Sequence, residues 1–311
     1  MSEKALKRLV AGLATAVVLY IMVGFLGRNR GTGSGDPALD AFLRQLGTDS
    51  LSSIMVTSPG GDSFRLARRG DSWTVNDLAA DSAAIARLQR SARDAKVGVM
   101  ISSSDANHAR LGVTADSAWT VEVQPAGVGA TRLLVGNNGS RMSSAYVRLP
   151  DEAATWELTG DLRGAVARSL TDWRDKTIAR IDTAKVASLE LARDGSHYTI
   201  SRLDSTWVVT TMAGHAAEPA ESGTVSSILS ELARLDATGF ATDTMTTDST
   251  QYRQLIVRSA TGDTLLSIDA SGTSAGWHVV TRGNGTIFDV PAYRVDRLLP
   301  KREDVARKAT G

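Results

Sequence analysis

Cysteine is absent from the 311 residues, which excludes disulfides, thiolate metal sites, thiol nucleophiles and a lipid-modified N-terminal cysteine. Aromatic residues make up only 5%, so a stacking platform for sugars or other solutes has few side chains to draw on. An excess of either charge is also missing. Lysine and arginine number 35 against 34 aspartates and glutamates, a formal net charge of +1, and no basic excess favours nucleic-acid phosphates. No G-x-x-x-x-G-K-[ST] loop occurs, so nucleotide hydrolysis lacks its usual cradle. His108, His197, His215 and His278 are scattered without an H-x-x-x-H or H-E-x-x-H pair, which leaves a metal site without local support.

What is present begins with Leu9 to Gly27, LVAGLATAVVLYIMVGFLG, uncharged over 19 positions. As a helix it would be roughly 28 Å long, near the hydrocarbon thickness of a bilayer. The expectation is a single uncleaved membrane anchor after a short tail (residues 1–8), because Phe25, Leu26 and Arg28 occupy the place of a small-x-small cleavage site. Lys4, Lys7 and Arg8 before the span balance Arg28, Arg30 and Arg44 after it. Large C-terminal bodies translocate regardless of such small biases, so the body is expected outside a bacterial inner membrane. A flexible Gly- and Ser-containing linker (28–35) follows. Asp36 then reads as an N-cap with Pro37 in the first helical position, and Leu39, Phe42, Leu43 and Leu46 form an apolar stripe. Gly47 is expected to close this helix in a left-handed conformation. Its polar face lacks the lysines and arginines of interfacial helices, so it is expected to pack on the first module.

The remainder, 42% hydrophobic and 22% charged over the whole chain, reads as globular and repeats itself. DSFRLARRGDSWTV (Asp62 to Val75) returns as SHYTISRLDSTWVV (Ser196 to Val209), with Phe64 to Tyr198, Leu66 to Ile200 and Trp73 to Trp207 all 134 positions apart. Ile54 and Val56 match Leu189 and Leu191 upstream. Period-two alternation makes each copy strand, turn, strand, tight turn, strand. A helix follows each, over 81–95 and 221–235. Strand candidates come next: WTVEV, RLLVG, AYVRL and TWEL in the first half, QLIVR, TLLSI, GWHVV and TIFDV in the second. Short helices close the halves at 161–170 and 292–299. The expectation is an α+β fold: two tandem β-rich modules with antiparallel strands, 36–170 and 184–300, joined through 171–183 and followed by a tail (301–311). Trp73 and Trp207 are expected as core plugs.

Motifs that suggest chemistry lack their context. Gly272-Thr273-Ser274-Ala275-Gly276 spells a nucleophile elbow, but a strand follows it where a helix is required, and His278 is too near in sequence to swing back. A hairpin loop is expected there. Asp243, Asp248, Asp263 and Asp269 sit among turn formers. Asn138-Gly-Ser and Asn284-Gly-Thr read as type I′ hairpin turns. Arg87, Arg90 and Arg93 give one helix a basic edge, read as a solvated face. Arg174, Asp175 and Lys176 are candidates for pinning the modules together.

Gly70-Asp71-Ser72-Trp73, Leu133 to Gly136, Tyr146-Val147-Arg148 and Trp173 to Lys176, behind an N-terminal span, together resemble the domain-of-unknown-function 4340 family of bacterial membrane-anchored proteins. The likeness covers essentially the whole chain after the linker. It departs at Asp204-Ser205-Thr206-Trp207, which lacks the glycine of the first copy. The resemblance implies an accessory role at the cell envelope, because members are often encoded beside ABC-2-type transporters similar to those of gliding-motility systems. It implies no catalytic, cofactor or metal residues. The function expected is therefore a non-enzymatic, membrane-anchored accessory or scaffold component of such a transporter assembly, with no cofactor and no nucleic acid. The alternatives are an envelope hydrolase working on a polymer between the modules, which requires convergent carboxylates or a Ser-His pair, and a solute- or glycan-binding module, which requires exposed tryptophans such as Trp156 and Trp277.

Overall fold

The computed structural model describes residues 35–124, 130–193, 195–211, 216–241, 251–273, 276–283 and 285–307. The expected span at 9–27 lies outside them, and among the described residues no helix is long and apolar enough to cross a membrane. The chain is α+β and divides into one unit ending at Arg174 and another starting at Asp175.

Helix α1 (Pro37–Leu46) opens the first unit. Asp36 caps it, its Oδ1 accepting from the amides of Ala38 at 2.7 Å and Leu39 at 3.4 Å, and Pro37 has no amide to leave unpaired. Leu39, Phe42, Leu43 and Leu46 are buried in the core of this unit. Gly47 closes the helix in a right-handed conformation, φ −76°, and not the left-handed one expected. Crowding accounts for the glycine: a Cβ there would meet Cγ of Arg93 at 2.6 Å.

Strands β1 (Ser53–Thr57), β2 (Ser63–Arg69) and β3 (Ser72–Val75) bury alternate residues, namely Ile54 and Val56, Phe64 and Leu66, Trp73 and Val75. A two-residue strand, β4 (Leu78–Ala79), leads into α2 (Ser82–Asp94), where Asp81 accepts from the amide of Ala83 at 2.8 Å. Ala84, Ile85, Leu88 and Ala92 of α2 join the core. After β5 (Lys96–Ser102) a connection carries the short helix α3 (His108–Leu111), then β6 (Trp119–Val123), β7 (Thr131–Asn138), β8 (Ser144–Arg148) and β9 (Thr155–Thr159) complete the sheet. Strand β7 runs so close to the α3 connection that a Cβ at Gly136 would meet the Leu111 carbonyl oxygen at 2.6 Å. Helices α4 (Leu162–Val166) and α5 (Leu170–Trp173) end the unit. The nine strands are antiparallel neighbours in the order β4-β3-β2-β1-β6-β7-β8-β9-β5.

The second unit begins with β10 (Thr177–Ala179) and continues through β11 (Val186–Arg193), β12 (Ser196–Leu203), β13 (Thr206–Thr211), β14 (Glu218–Pro219), α6 (Ser222–Ala233), β15 (Leu235–Asp236) and β16 (Gly239–Phe240). Strands β17 (Tyr252–Ser259), β18 (Thr264–Gly272), β19 (Trp277–Thr281) and β20 (Phe288–Val290), then α7 (Ala292–Leu298) and α8 (Arg302–Val305), complete it. Its nine-stranded sheet has the order β14-β13-β12-β11-β17-β18-β19-β20-β16, position for position that of the first unit, while β10 and β15 form a separate two-stranded sheet.

Register agrees as well as order. Ile54 lies opposite Leu66 and Val123, and Leu189 opposite Ile200 and Val257. Each unit is closed by the same backbone link at the start of its long helix. Asp81 N donates to Trp173 O at 2.8 Å beside an Ala80–Arg174 bridge, and Glu221 N donates to Val305 O at 2.7 Å beside an Ala220–Ala306 bridge. The tight turn before each tryptophan uses a left-handed residue, Gly70 at φ 61° and Asp204 at φ 52°. Trp73 is a core residue of the first unit. Trp207 is half-buried against the second core, with the Arg202 guanidinium 5.0 Å from its ring centroid. It is therefore a partial plug, its open face covered by a cation and not by apolar side chains.

Candidate functional site

The motifs singled out in the sequence do not converge. Gly272 ends β18 and Trp277, its cross-strand partner, opens β19, so the G-x-S-x-G string joins two antiparallel strands. Gly276 N donates to Thr273 Oγ1 at 3.0 Å across that connection. Ser274, Ala275, His215, Asp243, Asp248 and Asn284 lie outside the described residues. Buried His108 has its Nε2 2.9 Å from the carbonyl oxygen of Ala153, while His197 is exposed on β12. His278 on β19 faces Asp289 on β20, with Nε2 3.4 Å from Oδ1. Asp263 caps a turn within its own segment through Thr261. Among the described residues no group of three His, Cys, Asp or Glu is placed to hold a metal ion.

Trp277 is buried under Arg253, whose guanidinium carbon lies 4.1 Å from the ring centroid, and Trp156 is half-buried against the first core. Arg87 pairs with Asp161 at 2.5 Å, Arg93 reaches the Gly47 carbonyl at 2.6 Å, and Arg90 is exposed. Arg174 and Lys176 each hold backbone of their own unit, the first by its bridge to Ala80, the second by accepting Ala237 N at 2.8 Å.

The buried ionisable groups have structural partners. Glu157, 2% exposed, accepts at one carboxylate oxygen from Ser140 N and Ser144 Oγ, both at 2.8 Å, from Ser140 Oγ at 2.9 Å and from Arg141 N at 3.2 Å. The Ser144 hydroxyl, with the Ser140 hydroxyl and two amides, holds its pKa below the ordinary carboxylate value against the opposing effect of burial. Around this carboxylate the 139–143 connection between β7 and β8 is longer than the two-residue type I′ turn expected at Asn138-Gly139, because the chain wraps the Glu157 side chain before pairing resumes. Arg148 donates to the carbonyls of Val113, Leu149, Pro150 and Glu152 at 2.6–3.2 Å, and burial lowers its pKa. Glu231 binds Arg294 at 2.9 Å and Arg297 at 2.8 Å, clamping α6 to α7. Tyr252 donates to Asp269 at 2.5 Å, and burial, reinforced by that carboxylate, pushes the phenol up to about 12.

Two hollows in the second unit are large enough for a small ligand. One, of about 460 Å³, has Phe240, Trp277, His278 and Asp289 in its wall. The other, of about 420 Å³, is lined by Arg193, Ser196, Tyr198, Lys301, Arg302 and Glu303. The sequence reading identified neither, because their walls are assembled from separate segments, within 238–291 for the first and from 193–198 and 301–303 for the second.

A family model described as "Domain of unknown function (DUF4340)" matches residues 75–256, more than half of the chain. No curated protein matches the chain. No solved structure matches it either.

Proposed function

The chain belongs to the family described as Domain of unknown function (DUF4340), and from that premise we propose that it is a non-enzymatic, membrane-anchored envelope protein, an accessory or scaffold component of an ABC-2-type transporter assembly. The observation that carries this reading is the use made of the buried charged groups. Glu157, Arg148, Glu231 and Arg253, each less than a tenth exposed, fix turns, carbonyls, helices or an indole of their own unit. Catalytic machinery sets perturbed ionisable groups facing one another across a cleft; these are dispersed through two cores. The uncharged stretch 9–27 supplies the anchor, with the body outside the inner membrane. The shared strand order, register and closing link support reading the units as tandem copies of one module.

Purification of the full chain from solubilised membranes after crosslinking through its body tests the assignment. The expected result is recovery of an ABC-2-type permease or its ATPase. Recovery of the chain with its anchor intact and no transporter subunit would contradict it, and a C-terminal reporter active only in the cytoplasm would reverse the orientation.

A further inference from the structure

Both units set a carboxylate opposite a ring on corresponding strands, and only one of the two carboxylates is closed off. In the first unit β8 and β9 place Tyr146 opposite Glu157, next to the buried pair of Ala145 with Leu158. In the second, β19 and β20 place His278 opposite Asp289, next to the buried pair of Trp277 with Val290. Glu157 is sealed in by Ser140, Arg141 and Ser144. The Asp289 side chain is 44% exposed, and the one charged or chargeable group beside it is His278, 3.4 Å from Oδ1. Among the described residues none donates a hydrogen bond to Oδ2, and Gly239 on β16 leaves that oxygen uncovered, since a Cβ there would lie 3.3 Å from it.

Asp289 and His278 stand in the wall of the larger hollow, about 460 Å³, whose apolar surface comes from Phe240, Trp277 and Pro291 among others. The wall is fixed in advance. Thr238 donates to the Asp289 carbonyl oxygen from its amide at 2.9 Å and from its hydroxyl at 3.0 Å, and Phe240 packs on buried Phe288 with ring centroids 5.6 Å apart. No lysine or arginine lines the hollow. Arg253, which covers the Trp277 ring, is bonded to Asp296 at 2.6 Å. With histidine neutral the lining residues carry a formal charge of −1. A carboxylate offers about four acceptor sites, so the approach of His278 to one oxygen leaves most of that capacity unused. A carboxylate beside aromatic and proline rings suits a ligand that joins N–H donors and positive charge to an apolar body.

We propose that this hollow binds a small organic amine, its ammonium donating to Asp289 and its apolar body lying against Phe240 and Pro291. The Asp289 carboxylate repels an anion, and a neutral molecule forgoes the charge-assisted bond. The inference stands apart from the transporter reading. The test is calorimetric titration of the full chain in uncharged detergent at constant ionic strength, with tryptamine and with two probes that share its indole, the neutral tryptophol and the anionic indole-3-propionate. Wild-type chain is expected to bind tryptamine saturably, roughly tenfold or more tighter than tryptophol, and not to bind indole-3-propionate. Asp289→Asn keeps the shape of the side chain and is expected to cancel the preference for tryptamine over tryptophol. Phe240→Ala is expected to weaken both probes and to keep the preference. The hydrogen bonds that fasten residue 289 run to its backbone oxygen, so Asp289→Asn should leave the melting temperature unchanged, and it decides alone if Phe240→Ala misfolds. No saturable binding of tryptamine by the wild-type chain, equal binding of tryptamine and tryptophol, or a preference that Asp289→Asn retains would overturn the proposal.

Discussion

At position 204 an aspartate adopts φ 52°, the conformation its counterpart Gly70 adopts at φ 61°. A Cβ in the left-handed region is disfavoured, less so for Asp than for most residues. Asp204→Gly is therefore expected to stabilise the second unit by about 0.5–1 kcal/mol, read from the midpoint of urea unfolding; a loss of stability would mean that the two turns are not equivalent. Glu157 makes the opposite kind of contribution. Replacing it with glutamine removes charge-assisted bonds from two hydroxyls and two amides and is expected to cost about 1–3 kcal/mol near neutrality. Its folded pKa lies below the ordinary value, so the stabilisation is complete above the unfolded value of about 4.3 and is lost as pH falls through the folded one. The gap between wild type and Glu157→Gln should accordingly narrow in acid, and a gap independent of pH would refute this. The cap at Asp36 was legible in the sequence because its partners lie two or three residues away. The role of Glu157 was not, since its donors sit 13 to 17 residues back in a turn whose Asn-Gly suggested a simpler shape.

Between elements, burial decides what an ion pair is worth. Glu231 is 7% exposed and binds both Arg294 and Arg297, so it joins α6 to α7 in low dielectric. Glu231→Ala would take the carboxylate from the largely buried Arg294, leaving it only the carbonyls of Asp236 and Arg234, and is expected to destabilise by about 3 kcal/mol. The pair joining α2 to α4, Arg87 with Asp161, is about half-exposed on both sides, and Arg87→Ala is expected to cost less than about 1 kcal/mol. Comparable losses from the two substitutions, measured by chemical denaturation, would show this contrast to be wrong. The elements themselves were largely readable. Alternation placed β1 to β3, β6 to β9 and β17 to β20, and the helical stripes placed α1, α2 and α6. Strand β5 escaped because Gly98 interrupts KVGVMIS and its pairing with β9 is bulged; at the sheet edge it exposes Val99 and Met100, which blurs the period that marks a half-buried strand. Trp173, fully buried beneath Arg168, was read as part of a connection and of a family-like motif but not as core, because one tryptophan among charges carries no periodicity.

At the scale of the whole molecule, the equal spacing of Phe64, Leu66 and Trp73 with Tyr198, Ile200 and Trp207 made two related units visible in the sequence. Their common sheet order was not, since it depends on which hydrogen-bonded edges meet, above all on β1 meeting β6 and β11 meeting β17 after long connections. The hollow beside Tyr198 was hidden for a similar reason, since only folding brings Arg193 and Ser196 together with Arg302. That two sheets share one plan is the claim on which reading the units as tandem copies rests. Freedom from cysteine makes it directly measurable by engineered disulfides. The non-local strand pairs set Met55 opposite Glu122 and, at the equivalent place, Glu190 opposite Ile256. Cysteine pairs at 55/122 and at 190/256 are both predicted to oxidise readily in the folded chain, since directly opposed residues fall within disulfide reach. Pairs slipped by one residue, at 55/121 and 190/255, are predicted to stay reduced because their side chains point to opposite faces. Failure of either matched pair, or ready closure of its slipped control, would contradict a common plan for the two units.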